Sequence, residues 1–379
     1  MCGAVWRSVI IMMLTAAMCA PSQAVEPQKI VDVKSTDVMR GFPEEDTCFA
    51  KGVSACAAGI IDGYLVMAGG CNFPDVPAAD GGAKRFYDAI YAALLDDGDT
   101  LEWVRIGTLP GAVAYGVSVT IGDALILAGG SNACGSLTDV IKISLVDGAA
   151  EVSGLPSLPF PIDNASGCVA DSVLYVVGGN VNGVPSNCLC CLDLRDLDKG
   201  WQRLADFPGN PRVQPVCAAQ SDADGKIGIY VWGGFAGKAE GRDATLEVDG
   251  VAYFPASGEW QRLPAVVDEM GETVSLGGGA AVAVGNSVIV CLGGVNKDIF
   301  LAALQAQESD YMTHPAEWYR FNKRMLVYDV EIGKWQVVAE SSHFARAGAA
   351  LVTDGKQIIC VNGELKPGVR TPQITRIGL

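Results

Sequence analysis

Glu364 and Arg370 stand six positions apart in the stretch Gly363-Glu364-Leu365-Lys366-Pro367-Gly368-Val369-Arg370, close to the C-terminus. A carboxylate with a tuned pKa can take up and return a proton, which is the work of a general acid or base. A guanidinium is always charged and fork-shaped, so it suits an anionic group held through paired hydrogen bonds. Gly363, Pro367 and Gly368 bend and stiffen the backbone between the two, and the apolar run Ile358, Ile359, Val361 leads into it as a strand. Charged strand ends are common on protein surfaces, so the significance of this loop depends on where it falls in the rest of the chain.

It falls in a repeat. An apolar run of five or six residues is followed by a double glycine at Gly69-Gly70, Gly129-Gly130, Gly178-Gly179, Gly233-Gly234 and Gly293-Gly294, and by the variant Asn362-Gly363. The first unit reads as strands over 52–60 and 64–68 about an Asp62-Gly63 turn, a third strand near 90–94 and a fourth around Trp103; fourth-strand tryptophans recur as Trp201, Trp260 and Trp335. Four short strands at periods of roughly 50 to 70 residues mark a propeller. The double glycine and the tryptophan make the repeat resemble kelch. The expected fold is therefore all-β, a six-bladed kelch-type β-propeller with blades of four antiparallel strands. After Gly363 only one more strand fits, at 373–377, so a lone strand at 29–33 is expected to complete the last blade and close the ring.

Successive strands reverse direction, so the loops before every first strand and after every second strand share one face. Asn72 and Asn296 lie behind second strands, Tyr115, Asn164, Arg212 and Arg346 before first strands, and Lys323 beside the same face. An insertion runs from Asn296 to Lys323, with a helix-like stretch 300–309 and the aromatic residues Trp318, Tyr319 and Phe321; a lid and a structural patch both fit it.

Composition narrows the partners. The 379 residues are half hydrophobic, with 43 acidic against 27 basic residues and a formal charge of −16, a field that repels nucleic acid and anionic membranes. No apolar run approaches the roughly 20 residues of a membrane span. Arg7, an apolar stretch over 9–20 and Ser22-Gln23-Ala24 read as a cleaved signal over 1–24, leaving one domain over 25–379 that is exported, periplasmic or secreted. Eleven cysteines then remain. Only Cys188-Leu189-Cys190-Cys191 is a tight cluster, without the spacing of a paired zinc knuckle, and it fixes no disulfide. No metal and no cofactor is expected, and the oligomeric state is not legible.

The strings GGVNKDIF (293–300), FNK (321–323), AGAALV (347–352) and NGELKPGVRT (362–371) are similar to the bacterial N-acetylneuraminate epimerases, or sialic acid mutarotases. So are AYGVS (114–118), AGGCNF (68–73) and DNASG (163–167). The blades that come last in the best-known members come first here, which resembles a cyclically permuted branch. The resemblance implies an isomerase that interconverts the anomers of a sugar acid by opening and closing its ring. It implies Glu364 and Arg370 as the catalytic pair, with Asn72, Tyr115, Asn164, Arg212, Asn296 and Lys323 as substrate contacts. One departure is Val113, where the related enzymes carry a basic residue before AYGVS. The competing expectation is a non-catalytic kelch module that binds a glycan or protein. A sialidase would carry S-x-D-x-G-x-T-W boxes, and a copper oxidase several histidines; the sequence holds only His314 and His343.

Overall fold

The computed structural model describes residues 31–306 and 309–379, so the signal expected over 1–24 lies outside the described residues. The described chain is all-β apart from one α-helix, Lys297–Ala306, and short 3-10 turns. No described helix is long and apolar enough to cross a membrane.

Six antiparallel sheets of four strands follow one another. The first is built from Ala57–Ile61, Tyr64–Ala68, Ala89–Leu94 and Val104–Thr108, and the next four repeat that order through Lys334–Glu340. The sixth uses Ala350–Thr353, Gln357–Val361 and Ile374–Gly378 and takes Ser35–Met39 as its outer strand. The N-terminal strand thus does pair beside the C-terminal one, but at Ser35–Met39; of the stretch 29–33, residues 31–33 form no strand and 29–30 lie outside the described residues. Met39 pairs with Ile374 and is 5% exposed in a core cluster with Phe49 and Leu101, which flank the first sheet, and with Leu65 and Met67 of its second strand. Val31 and Val33 pack against the last two sheets as irregular chain, which satisfies their apolar side chains without a ladder.

Second strands such as Ala124–Ala128 and Val288–Leu292 are buried at every position because neighbouring sheets cover both faces, hence their unbroken apolar runs. First strands are rich in small residues, and they surround a channel of about 390 Å³ lined by positions such as Ala58, Ser118, Gly167, Ala219 and Val282. Each first strand neighbours the next, and the last neighbours the first.

The double glycine serves that crowding. Both residues have positive φ, 63° and 98° at Gly129 and Gly130, and a Cβ on Gly129 would lie 2.5 Å from the Ile162 carbonyl of the next sheet's lead-in. The variant residue Asn362 keeps the left-handed conformation, which asparagine tolerates better than most side chains (φ 56°).

A second backbone device surrounds the channel mouth. Two residues before each first strand stands a residue of positive φ: Ala55, Tyr115, Asn164, Gln214, Gly278 and Gly348. Their main chains form a cycle. Tyr115 donates to Ala55 O, Asn164 to Tyr115 O, Gln214 to Asn164 O, Gly278 to Gln214 O, Gly348 to Gly278 O, and Ala55 to Gly348 O, all at 2.8–3.0 Å.

Candidate active site

Five of the six second strands run past their glycines into a two-residue or three-residue hairpin on the mouth side, and the fifth sheet has the helical insertion instead. In the last hairpin, Glu364–Lys366 pairs with Val369–Arg370, and the register sets Glu364 directly opposite Arg370. Directly opposed residues put their side chains on one face, so the six-residue spacing in sequence becomes a contact in space. The hairpin is fixed to the frame by two main-chain bonds between Glu364 and Ala347, at 2.7 and 3.0 Å.

Arg370 Nη1 lies 2.6 Å from Glu364 Oε1. The Arg370 side chain is 3% exposed and that of Glu364 20%. Nη1 thus faces the carboxylate, Nε is a buried donor without an acceptor, and Nη2 reaches the Tyr115 hydroxyl at 3.4 Å. The guanidinium also lies 5.2 Å from the centre of the Phe73 ring. Lys84 Nζ donates to the Tyr115 hydroxyl at 3.0 Å and sits over its ring. Burial pushes the Glu364 carboxyl above its ordinary pKa and outweighs the opposing pull of Arg370 and then Lys84. Burial, with Cys71 and Glu364 adding to it, also raises the Tyr115 phenol, which therefore stays a protonated donor.

Glu364 lines a cavity of about 270 Å³, with Arg370 buried beside it. Tyr115, Gln214 and Gly348 line both this cavity and the channel below, while Ser54 brings a buried hydroxyl with no partner. Phe300, Tyr311, Met312 and Phe321 of the insertion form the facing wall with Phe235.

The sequence-derived contacts do not all meet here. Tyr115 does, and Asn164 lies on the same rim, accepting from Gln214 Nε2 at 2.6 Å and donating to Asp163 at 2.6 Å. Arg212 is 1% exposed and turns away, bonding Gly233 O, Asp249 O and the Asp249 carboxylate. Arg346 repeats that role one sheet pair later, on Asn362 O, Gln373 O and Thr375. Asn72 is buried with its amide spent on Cys48 O, Gly52 O and the Tyr87 hydroxyl. Asn296 accepts from the main chains of Asp298 and Ile299, as an N-cap for the helix does. Lys323 pairs with Glu340 at 2.7 Å on an exposed surface. Lys84 and Gln214 were not singled out in the sequence. Gln214 was findable, since it occupies the repeat position of Tyr115 and Asn164; Lys84 sits in a variable loop with no such marker.

Cys188, Cys190 and Cys191 are unbridged thiols, and among the described residues no group of three or more His, Cys, Asp or Glu side chains is placed to hold a metal ion.

A frame of repeated four-stranded sheets that sets a buried carboxylate beside a guanidinium near a channel mouth defines an all-β protein with an end-on site. Residues 155–379 match the family model described as N-acetylneuraminate epimerase, and the chain belongs to that family. The N-acetylneuraminate epimerase of Salmonella paratyphi B is 30% identical over 235 residues, 59% of this chain and 58% of the relative. That of Shigella sonnei is 31% identical over 247 residues, 62% and 63% of the two chains. The chain spans about three fifths of the length of these curated relatives. A solved structure titled "Structure of YjhT" is 27% identical, with a TM-score of 0.48, over 59% of this chain and 65% of that one.

Proposed function

We propose that the chain is a sugar-acid mutarotase that interconverts the α and β anomers of N-acetylneuraminate. The observation that carries this reading is the buried Glu364–Arg370 pair, in which Glu364 lines a cavity and Arg370 Nε is a buried donor without an acceptor. An unsatisfied buried donor is costly, and a substrate carboxylate would satisfy it.

In the proposed mechanism the Arg370 guanidinium, through its free Nε–H, binds the carboxylate on the anomeric carbon, and the Tyr115 hydroxyl, oriented by Lys84, donates a further hydrogen bond. Ionised Glu364 removes the proton of the anomeric hydroxyl. The bond from the anomeric carbon to the ring oxygen breaks, and the ring oxygen takes the proton from Glu364. The open-chain 2-keto acid turns about its next carbon–carbon bond and presents the other carbonyl face. The same steps in reverse close the ring, so proton and charge balance over the cycle.

We further read the scaffold as one six-bladed kelch-type β-propeller over 25–379, closed by the N-terminal strand. The six sheets, the cycle of six main-chain bonds and the shared last sheet support that reading. The family match begins at 155, beyond most of the first two sheets, which agrees with a cyclic permutation. A leader over 1–24 would export the chain. Among the proposed substrate contacts Tyr115 and Asn164 keep that role; Asn72, Arg212, Asn296 and Lys323 are reassigned to supporting the frame.

The test is the anomerisation of freshly released α-N-acetylneuraminate followed by proton NMR. The purified chain is expected to speed it at catalytic concentration. Tight binding without acceleration would overturn the enzyme in favour of a glycan-binding module.

A further inference from the structure

Cys168 and Cys217 take no part in the proposed reaction, yet their sulfurs lie 3.6 Å apart although the residues stand 49 positions apart in the chain. Cys168 belongs to the first strand of the third sheet, Ser166–Ala170, and Cys217 to the first strand of the fourth, Val216–Ser221. Both are free thiols in the apolar core between those sheets, with Leu189, Ile229 and Val231. Neither is sealed there. Cys168 is 8% exposed and Cys217 6%, and both line the central channel of about 390 Å³.

Other buried thiols differ from this pair. Cys188, Cys190 and Cys291 are fully buried and line neither the channel nor the cavity beside Glu364. Cys56 does line the channel, but its sulfur faces the Asn362 amide at 3.8 Å. Cys168 and Cys217 combine a thiol neighbour at contact distance with a path for a small molecule. The Cys217 contact and burial push the Cys168 thiol well above its ordinary pKa. At neutral pH Cys168 therefore rests as a protonated thiol and reacts through a small thiolate fraction that grows as pH rises.

We infer that Cys168 and Cys217 form a redox couple: hydrogen peroxide admitted through the channel converts them to a disulfide that staples the third sheet to the fourth. The thiolate of one cysteine attacks an oxygen of the peroxide. The O–O bond breaks, the sulfur becomes a sulfenic acid, and the departing hydroxide takes up the proton that the thiol released. The second sulfur displaces the hydroxyl from the first, and that hydroxyl leaves with the second thiol proton as water. The two thiols lose two electrons and the peroxide is reduced to two waters. The bridge lies close behind the channel mouth. Asn164 leads into one of the two strands and Gln214 into the other, and their side chains bond at 2.6 Å. Oxidation makes covalent a link between neighbouring sheets that these side chains make by hydrogen bond.

The experiment exposes the purified, reduced chain to hydrogen peroxide until the exposed Cys134 is fully oxidised, then alkylates the remaining thiols and maps linked peptides by mass spectrometry. A Cys168–Cys217 peptide pair lighter by two hydrogens is expected, formed faster at mildly alkaline than at neutral pH. The bridge closes a loop in the unfolded chain, so Tm should rise by roughly 5 °C, and dithiothreitol should reverse the increase. Cys217→Ser should show neither the link nor the increase. Recovery of both residues as free thiols, linkage of either to another cysteine, or passage to a sulfinic acid without linkage would overturn the couple. Linkage that leaves Tm unchanged would overturn the staple. None of these outcomes depends on the mutarotase reading.

Discussion

Glu364 and Arg370 gain their character from what surrounds them. A carboxylate raised by burial but held beside a guanidinium remains able to exchange its proton, and the proposed mechanism needs both states. Glu364→Gln keeps the shape and removes the exchange, so kcat for anomerisation should fall by about 10²- to 10⁴-fold. Full activity in that variant would clear Glu364 of the acid/base role. Arg370→Lys keeps the charge and loses the fork; KM should rise by roughly tenfold with a smaller change in kcat. The pH profile follows from the direction of the Glu364 shift. The ionised form starts the reaction and exists above the folded pKa, so kcat/KM should decline on the acid side through a pKa above the ordinary 4.5. That limb should vanish from the residual activity of Glu364→Gln.

Three arginines near the mouth read alike in the sequence, and the elements around them tell them apart. Arg212 and Arg346 are each clasped by carbonyls from a second strand's end and a third strand's start, and their partners lie 16 to 37 residues away. No local signal announces Asp249 as the partner of Arg212, which is why a substrate role looked equally reasonable. Arg370 differs because its hairpin is only long enough to reach back to Glu364, and that much was legible from the loop alone. The strand periodicity and the double glycines were legible for a different reason: they are local responses to burial on two faces and to close approach between sheets. The N-terminal strand lies six residues beyond the alternation at 29–33, because Ser35–Met39 has no alternation to mark it and is fixed by its pairing with Ile374–Gly378 and the burial of Met39. Two stability tests belong here. Arg212→Met should leave Asp249 without its main partner and cost on the order of 3 kcal/mol, read as a shift of the denaturant midpoint. Met39→Ala should cost about 2–5 kcal/mol by the same measurement, because it empties a buried site where the chain's beginning meets the first sheet.

At the scale of the whole molecule, the six-membered cycle of main-chain bonds joins every sheet to its neighbours at the channel mouth. A linear stack of repeats frays from its ends, whereas a cycle has none to fray. The amides of Ala55, Tyr115, Asn164, Gln214, Gly278 and Gly348 should therefore exchange hydrogen together, at the free energy of global unfolding. Early exchange of any one of them would contradict such coupling. The cycle also divides labour between backbone and side chain. Its bonds use main-chain groups only, so the six side chains are sockets that the architecture does not itself fill. Three consecutive sockets hold Tyr115, Asn164 and Gln214; the remaining arc of Gly278, Gly348 and Ala55 is bare. The entrance is lopsided as a result, furnished on one side and open on the other, with Glu364 mounted on the bare arc through Ala347. New specificity could be written into those vacant sockets with residues that accept a left-handed backbone, while the frame stayed as it is.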